Sequence, residues 1–194
     1  FPKSDVVGDI GSLAINKQVP VSGIIEDRYP WFEPLTEQIT NVLDRYAKRK
    51  LANGLMDFDD LLVLWLRLMK EHEDVRTMYQ QRFQFVLVDE YQDTNLLQAE
   101  LIDLLGVRYK NVMVVGDDSQ SIYSWRGANY ANIMEFPKRY PGAAVYKIET
   151  NYRSTPEILD LANAAIAANT RQFSKELAPC RDSGEKPAKV VCSA

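Results

Sequence analysis

Cysteine is nearly absent from this chain of 194 residues; only Cys180 and Cys192 occur, with no CxxC spacing. That excludes a disulfide framework and a cysteine zinc site, and a reducing compartment is expected. The single histidine, His72, cannot build a histidine-based metal site. Long apolar runs are missing too. The longest, LLVLWL at 61–66, falls far short of the ~20 residues that span a bilayer. The N-terminal FPKSDVVGDIG has no apolar signal core. Positive charge is not in excess: the net charge of −4 argues against a wholly basic nucleic-acid coat protein. It leaves room for a local basic or aromatic groove. The first residue is Phe1 rather than methionine. The chain is therefore expected to be a piece of something larger.

What is present is a hydrophobic content of 46% and a charged content of 26%, enough for a packed core. Residues 1–33 show no clear period and read as loop and short helices. From Pro34, apolar residues at helical spacing (Leu35, Ile39, Val42, Leu43, Tyr46, Leu51) predict a helix ended by Asn53-Gly54. A second helix is predicted from an Asp57 N-cap, with a body apolar almost all round and so expected to bury more than one face. A short polar helix over 73–82 follows. Then strands and helices alternate: strand 83–90, helix 95–106, strand 111–118, helix 129–139, strand 144–150, and a helix from Ser154-Thr155 to about Asn169. This order predicts an α/β fold with a parallel sheet. Ligands in such sheets bind at the carboxyl ends of the strands.

Three segments bring polar groups to those ends. VLVDEYQDTN (86–95) sends an apolar strand into Asp89-Glu90. One or two carboxylates suffice for magnesium, and a neighbouring one can deprotonate water. Two acids can equally do no more than solvate a strand end. GDDSQSIYSWRGA (116–128) carries Gln120, which donates and accepts at once. Tyr123 and Trp125 beside Arg126 can stack on unpaired bases and hold phosphate, or the rings can plug the core. ETNYRSTPEIL (149–159) places Arg153 just past the third predicted strand, at the same edge. There it can stabilise charge on a transferring phosphoryl group, and Tyr152 can stack on a nucleobase. Alternatively, Ser154-Thr155 only cap the helix and Arg153 lies on the surface.

MDFDDLL (56–62), FQFVLVDEYQDTNLLQ (83–98), VVGDDSQSIYSWRGA (114–128) and ETNYRSTPEIL (149–159), in this order and spacing, resemble the superfamily 1 DNA helicases of the UvrD/Rep/PcrA type. The resemblance runs from about residue 34 to the C-terminus. It implies that Asp89 coordinates Mg2+ and Glu90 is the general base of ATP hydrolysis. It implies that Gln120 couples the γ-phosphate to the DNA groove and that Tyr123 and Trp125 stack on single-stranded DNA, with Arg126 supporting that loop. It further implies that Tyr152 stacks on adenine and Arg153 contacts the γ-phosphate. Translocation 3′ to 5′, driven by two RecA-like domains closing around ATP, is implied as well, with single-strand/duplex junctions as substrate and a cytoplasmic, nucleoid-associated location.

By the same resemblance, residues 1–52 are the end of an inserted helical subdomain. Residues 53–150 are the C-terminal half of the first RecA-like domain, a partial P-loop NTPase sheet flanked by helices. Residues 151–194 are the crossover into the second RecA-like domain. The phosphate-cradling GxxxxGK[ST] is expected upstream and the rest of the second domain downstream, so the chain alone is expected to be inactive. Two alternatives stand beside this reading: the motor part of a helicase–nuclease, and a non-hydrolysing DNA-binding or interaction module.

Overall fold

The computed structural model describes residues 1–191, without the side chain of Arg126; Cys192 lies outside the described residues. The chain divides into two compact units, Phe1–Ile133 and the remainder from Met134. The fold is α/β, rich in helix, with short parallel sheets.

The first unit begins with helices α1 (Ser4–Lys17), α2 (Val21–Arg28) and α3 (Thr36–Ala52). The 14-residue α1 corrects the expectation of loop and short helices before residue 34. Gly8 and Gly11 hide its period, yet Val7, Ile10, Leu13 and Ala14 fall on one stripe and are buried. They form a core with Ile24 and Ile25 of α2 and Ile39 of α3. Each valine, leucine or isoleucine among them contributes about 1.5–3 kcal/mol on burial.

Helix α4 (Phe58–Glu71) starts at the expected N-cap. Asp57 accepts from the amide of Asp60, and the Asp60 carboxylate accepts from the amide of Asp57, a full capping box. Its apolar body buries one stripe rather than several. Leu66 and Met69 are buried, while Leu61, Leu64, Trp65 and Leu68 remain exposed. Helix α5 (Glu73–Arg82) is the expected polar helix.

A strand–helix–strand unit follows: β1 (Val86–Val88), α6 (Leu96–Gly106) and β2 (Val112–Val114). β1 and β2 pair in parallel with Val86 opposite Val112 and Val88 opposite Val114. Leu97, Leu101 and Leu105 of α6 pack on Leu66 and Met69 of α4, with Val86 beside them. Both strands are shorter than predicted and are not buried on both faces: Leu87 is 68% exposed and Met113 56%. A two-stranded sheet covered by α6 has only one sheltered side.

The predicted helix over 129–139 is two turns, α7 (Ala131–Met134) and α8 (Phe136–Arg139). Pro137 has no N–H to continue the first into the second. The predicted third strand shrinks to β3 (Thr150–Asn151), which pairs in parallel with β4 (Ala178–Pro179) inside the second unit. Val145, Tyr146 and Ile148 stay exposed, because apolar content gives strand propensity but not a pairing partner. Helix α9 (Pro156–Ile166) starts after Thr155, with Pro156 in its first turn. Thr155 occupies the N-cap, but its side chain caps no helix amide. The turn before α9 is held instead by Asn151, whose Oδ1 accepts from the amides of Arg153 and Ser154.

Helices α3 and α4 are tied by Lys50, whose Nζ lies 2.5 Å from Asp57 Oδ2 and 2.6 Å from Asp60 Oδ2. Burial opposes the charge on Lys50, but hydrogen bonds to both acids outweigh it and raise its pKa. Burial likewise opposes the charge on Asp57; the Lys50 ammonium and the Asp60 amide outweigh it and hold the carboxyl below its usual value. The stability carried by Asp57 is thus present above its unfolded value and lost as pH falls through the folded one. That carried by Lys50 is present below its unfolded value and lost as pH rises through the folded one. Lys50→Met is expected to cost about 1–3 kcal/mol at neutral pH. In denaturant titrations its deficit should be flat between about pH 5 and about pH 10 and shrink beyond both ends. A pH-independent deficit would refute the ion-pair account.

Candidate nucleotide and single-strand site

The carboxyl ends of β1 and β2 meet. Val115 N donates to Val88 O at 2.8 Å, and Tyr91 N donates to Val115 O at 2.9 Å. This carries the ladder one step past the strands and turns the chain at Asp89-Glu90. Both acids are exposed. Glu90 sits in the left-handed region at φ 50°, a conformation uncommon for a residue with a Cβ. Its amide donates to Asp89 Oδ1 at 2.9 Å.

Immediately behind these acids the chain is buried. Tyr91 is 0% exposed and Gln92 1%. Gln92 Nε2 donates to Glu90 Oε2 at 2.7 Å, and Gln92 Oε1 accepts from Asp117 N at 3.0 Å. Asp93 sits beside this pair; burial first, and the charge of Glu90 second, raise its carboxyl pKa. Asp117 organises the turn that follows β2. Its Oδ1 accepts from Ser119 N at 2.9 Å and its Oδ2 from Gln120 Nε2 at 2.8 Å. Asp89, Glu90 and Gln120 are therefore brought to one edge of one sheet, as the spacing predicts.

The aromatic loop continues from that turn. Tyr123 is 39% exposed and Trp125 55%, with ring centroids 6.2 Å apart and tilted by 41°. These rings face solvent and do not plug the core. The side chain of Arg126 lies outside the described residues. The loop rests on α1 and α2: Arg28 Nη2 donates to Ser124 O at 3.3 Å. Gly127 has φ 88°, and a Cβ there would come within 2.7 Å of Asn16 Cβ. Asn16 itself is buried, donating to Ser12 O and to Asp59 Oδ1 and accepting from Asn95 Nδ2 at 2.5 Å.

Asn95 caps α6, with its Oδ1 accepting from Gln98 N at 2.8 Å. Asn132 Nδ2 donates to Thr94 O, Thr94 Oγ1 and Asn95 O, closing the segment on α7. Sequence reading missed Gln92, Asn16 and Asn132. Nothing local in the sequence marks any of the three.

Tyr152 and Arg153 are exposed residues of the second unit. Their expected delivery to the acid-bearing edge depended on a third strand beside β2. β3 instead pairs with β4, so no strand of the β1–β2 sheet carries them. Arg153 is fixed locally: its carbonyl accepts from Arg181 Nη1 at 2.8 Å.

Among the described residues, no group of three acids, histidines or cysteines could enclose a metal, and no helix is long and apolar enough to cross a membrane. A magnesium ion that keeps its waters and a phosphate needs less than such a cage. An exposed carboxylate at a strand end, with Asp89 Oδ1 accepting from the Glu90 amide, fits that demand.

A family model described as the UvrD/REP helicase N-terminal domain matches residues 22–141. The chain belongs to this family. The ATP-dependent DNA helicase PcrA of Bacillus subtilis is 45% identical over 148 residues, which are 76% of this chain and 20% of that protein. PcrA of Leuconostoc citreum is 47% identical over 141 residues, 73% of this chain and 19% of that protein. A probable DNA helicase II homolog of Rickettsia felis is 41% identical over 159 residues, 82% of this chain and 24% of that protein. The chain thus spans about a fifth of the length of these curated relatives.

Gly127→Ala should destabilise the chain by about 1–3 kcal/mol, since it combines a left-handed backbone with the approach to Asn16. Thermal unfolding checks this; an unchanged midpoint means that the loop does not rest on α1.

Proposed function

We propose that this chain is part of an ATP-dependent DNA helicase motor, with residues 53–150 as the C-terminal half of a RecA-like domain. Residues 1–52 are the end of an inserted helical subdomain, and 151–194 the crossover into a second RecA-like domain. The observation that carries the reading is the junction of Asp89-Glu90 with the Gly116–Gln120 turn, in a chain of this family.

In this reading Asp89 holds Mg2+ through a carboxylate oxygen. Glu90 orients a water and takes its proton. Gln120 responds to the γ-phosphate and passes that state to the aromatic loop. Magnesium, when bound with ATP, supplies neutralisation of charge on the phosphates. Tyr152 stacks on adenine and Arg153 contacts the γ-phosphate. Tyr123 and Trp125 stack on successive bases of single-stranded DNA, and Arg126 supports the loop. Exposure of both rings supports this, since stacking needs an accessible π-face. Movement is 3′ to 5′ toward single-strand/duplex junctions, in repair, replication or recombination.

The 194 residues contain no GxxxxGK[ST] loop. Without its backbone amides and lysine the triphosphate is not cradled, and phosphoryl transfer depends on that positioning. The isolated chain is therefore expected to show no DNA-stimulated ATPase, and clear turnover would overturn this incompleteness.

Two further outcomes test the reading in the intact polypeptide that contains this chain. Glu90→Gln should abolish ATP turnover and leave ATP binding largely intact; normal turnover removes Glu90 from the role of base. Replacing Tyr123 and Trp125 by alanine should weaken single-strand affinity, at about 1–3 kcal/mol per stacked base. Equal affinity in a fluorescence titration would take the rings out of the DNA groove.

A further inference from the structure

We infer that Gln92 is a positioning residue that couples the Glu90 carboxylate to the turn leading into the aromatic loop; this rests on the reading of Glu90 as general base. The argument starts from burial. Gln92 is 1% exposed, yet both ends of its amide and its main-chain carbonyl are engaged. Nε2 donates to Glu90 Oε2 at 2.7 Å and, at 3.5 Å, to Asp93 Oδ2, the other titratable group that faces it; Oε1 accepts from Asp117 N at 3.0 Å. The carbonyl accepts from Ser121 Oγ at 3.4 Å.

The polarity of this amide is fixed. Reversed, its oxygen would face a carboxylate and its NH2 would face an N–H donor, so both bonds would be lost. Gly116 permits the arrangement, since a Cβ there would lie 2.5 Å from Gln92 Oε1 and 2.8 Å from Ile133 Cδ1.

A buried glutamine that only satisfies itself needs no exposed partner. Glu90 is exposed, and water alone can solvate its carboxylate. The bond from Gln92 therefore does something that solvation does not: it restricts an exposed acid to one orientation. Orientation of a base toward its proton is where positioning gains rate.

The other end of the same amide holds Asp117, whose carboxylate holds Ser119 N and Gln120 Nε2. Ser121, on the Gln92 carbonyl, is two residues from Tyr123. A shift of the loop when a base stacks would reach Glu90 through one rigid amide, and a shift at Glu90 would reach the loop the same way.

The test uses the intact polypeptide and compares Gln92→Met, Gln92→Glu and the unsubstituted protein for ATPase with and without single-stranded oligonucleotide, across pH. Gln92→Met removes donor and acceptor. It should lower basal kcat, and lower DNA-stimulated kcat further, by about tenfold or more, while KM for ATP changes by less than about twofold. Gln92→Glu keeps an acceptor for Asp117 N and donates to Glu90 only when its new carboxyl is protonated. Its DNA stimulation should recover toward acid and be lost between about pH 6 and about pH 9, a slope that the unsubstituted protein lacks.

A merely structural role predicts parallel pH profiles and equal losses of basal and stimulated rates in both variants; that result, or unchanged stimulation in Gln92→Met, overturns the inference. If instead the unsubstituted protein shows no DNA-stimulated turnover, or Glu90→Gln retains it, the base assignment falls and the coupling with it. A failure of Gln92 alone leaves that assignment standing.

Discussion

The parallel ladder between β1 and β2 is the constraint on which the candidate site depends. Three residue pairs form it, and the bond from Tyr91 N to Val115 O extends it past the strand ends. Without that extension the two acids and the Gly116–Gln120 turn would leave their strands independently. With it, residues 25 or more apart in sequence meet at hydrogen-bonding distance. So short a ladder is marginal by itself. Its support comes from α6, which spans the crossover, buries Leu97, Leu101 and Leu105 against α4, and is capped by Asn95 in the loop that leaves the acids.

The cap residue does two jobs. Asn95 closes the N-terminus of α6 with one end of its amide and reaches Asn16 of α1 with the other. Asn16 in turn bonds to Asp59 in the first turn of α4 and lies against Gly127. Three helices and the aromatic loop are thus registered on one buried polar cluster. Such a cluster is expensive to bury unless its members are paired, and pairing fixes their relative positions. Apolar packing alone would tolerate sliding of α1 against α6; directional amide bonds do not.

The element types and their order were legible in the sequence because apolar period and turn chemistry are local. Asp57 and Asn95 announce their helices, and VLVDE and VVGDD announce strands with polar ends. Apart from α1, whose period Gly8 and Gly11 hide, and the break at Pro137, the failures share a physical origin, since pairing and burial depend on partners distant in sequence. AVYKIET has the composition of a strand but no neighbour among the described residues until Thr150. LLVLWL has the composition of a helix buried all round, yet only one stripe finds a partner. The acids and Gln120 could be grouped because β1 and β2 converge as the α/β order requires. Tyr152 and Arg153 could not be joined to them by a strand, because that strand belongs to another sheet. Gln92 was invisible because nothing local distinguishes a coupling glutamine from a solvated one.

The resulting division of labour is consistent along the segment. Asp89, Glu90, Tyr123 and Trp125 face solvent, where a nucleotide, a water or a base can reach them. Tyr91, Gln92, Thr94, Asn95 and Asp118, within the same two loops, are buried, as is Asn132 of α7. An exposed acid on an unsupported loop would sample many orientations, and each productive encounter would have to select one. Here the selection is built into the fold. Glu90 departs from the ordinary backbone regions at φ 50°, a strain of order 1–3 kcal/mol that persists only where the surroundings hold it. Tyr91, fully buried and bonded to Val115 on one side, and Gln92, bonded to Glu90 on the other, are those surroundings. The strain and its support lie in consecutive residues, so rigidity reaches the acid through its neighbours in the chain while the acid itself stays open to solvent.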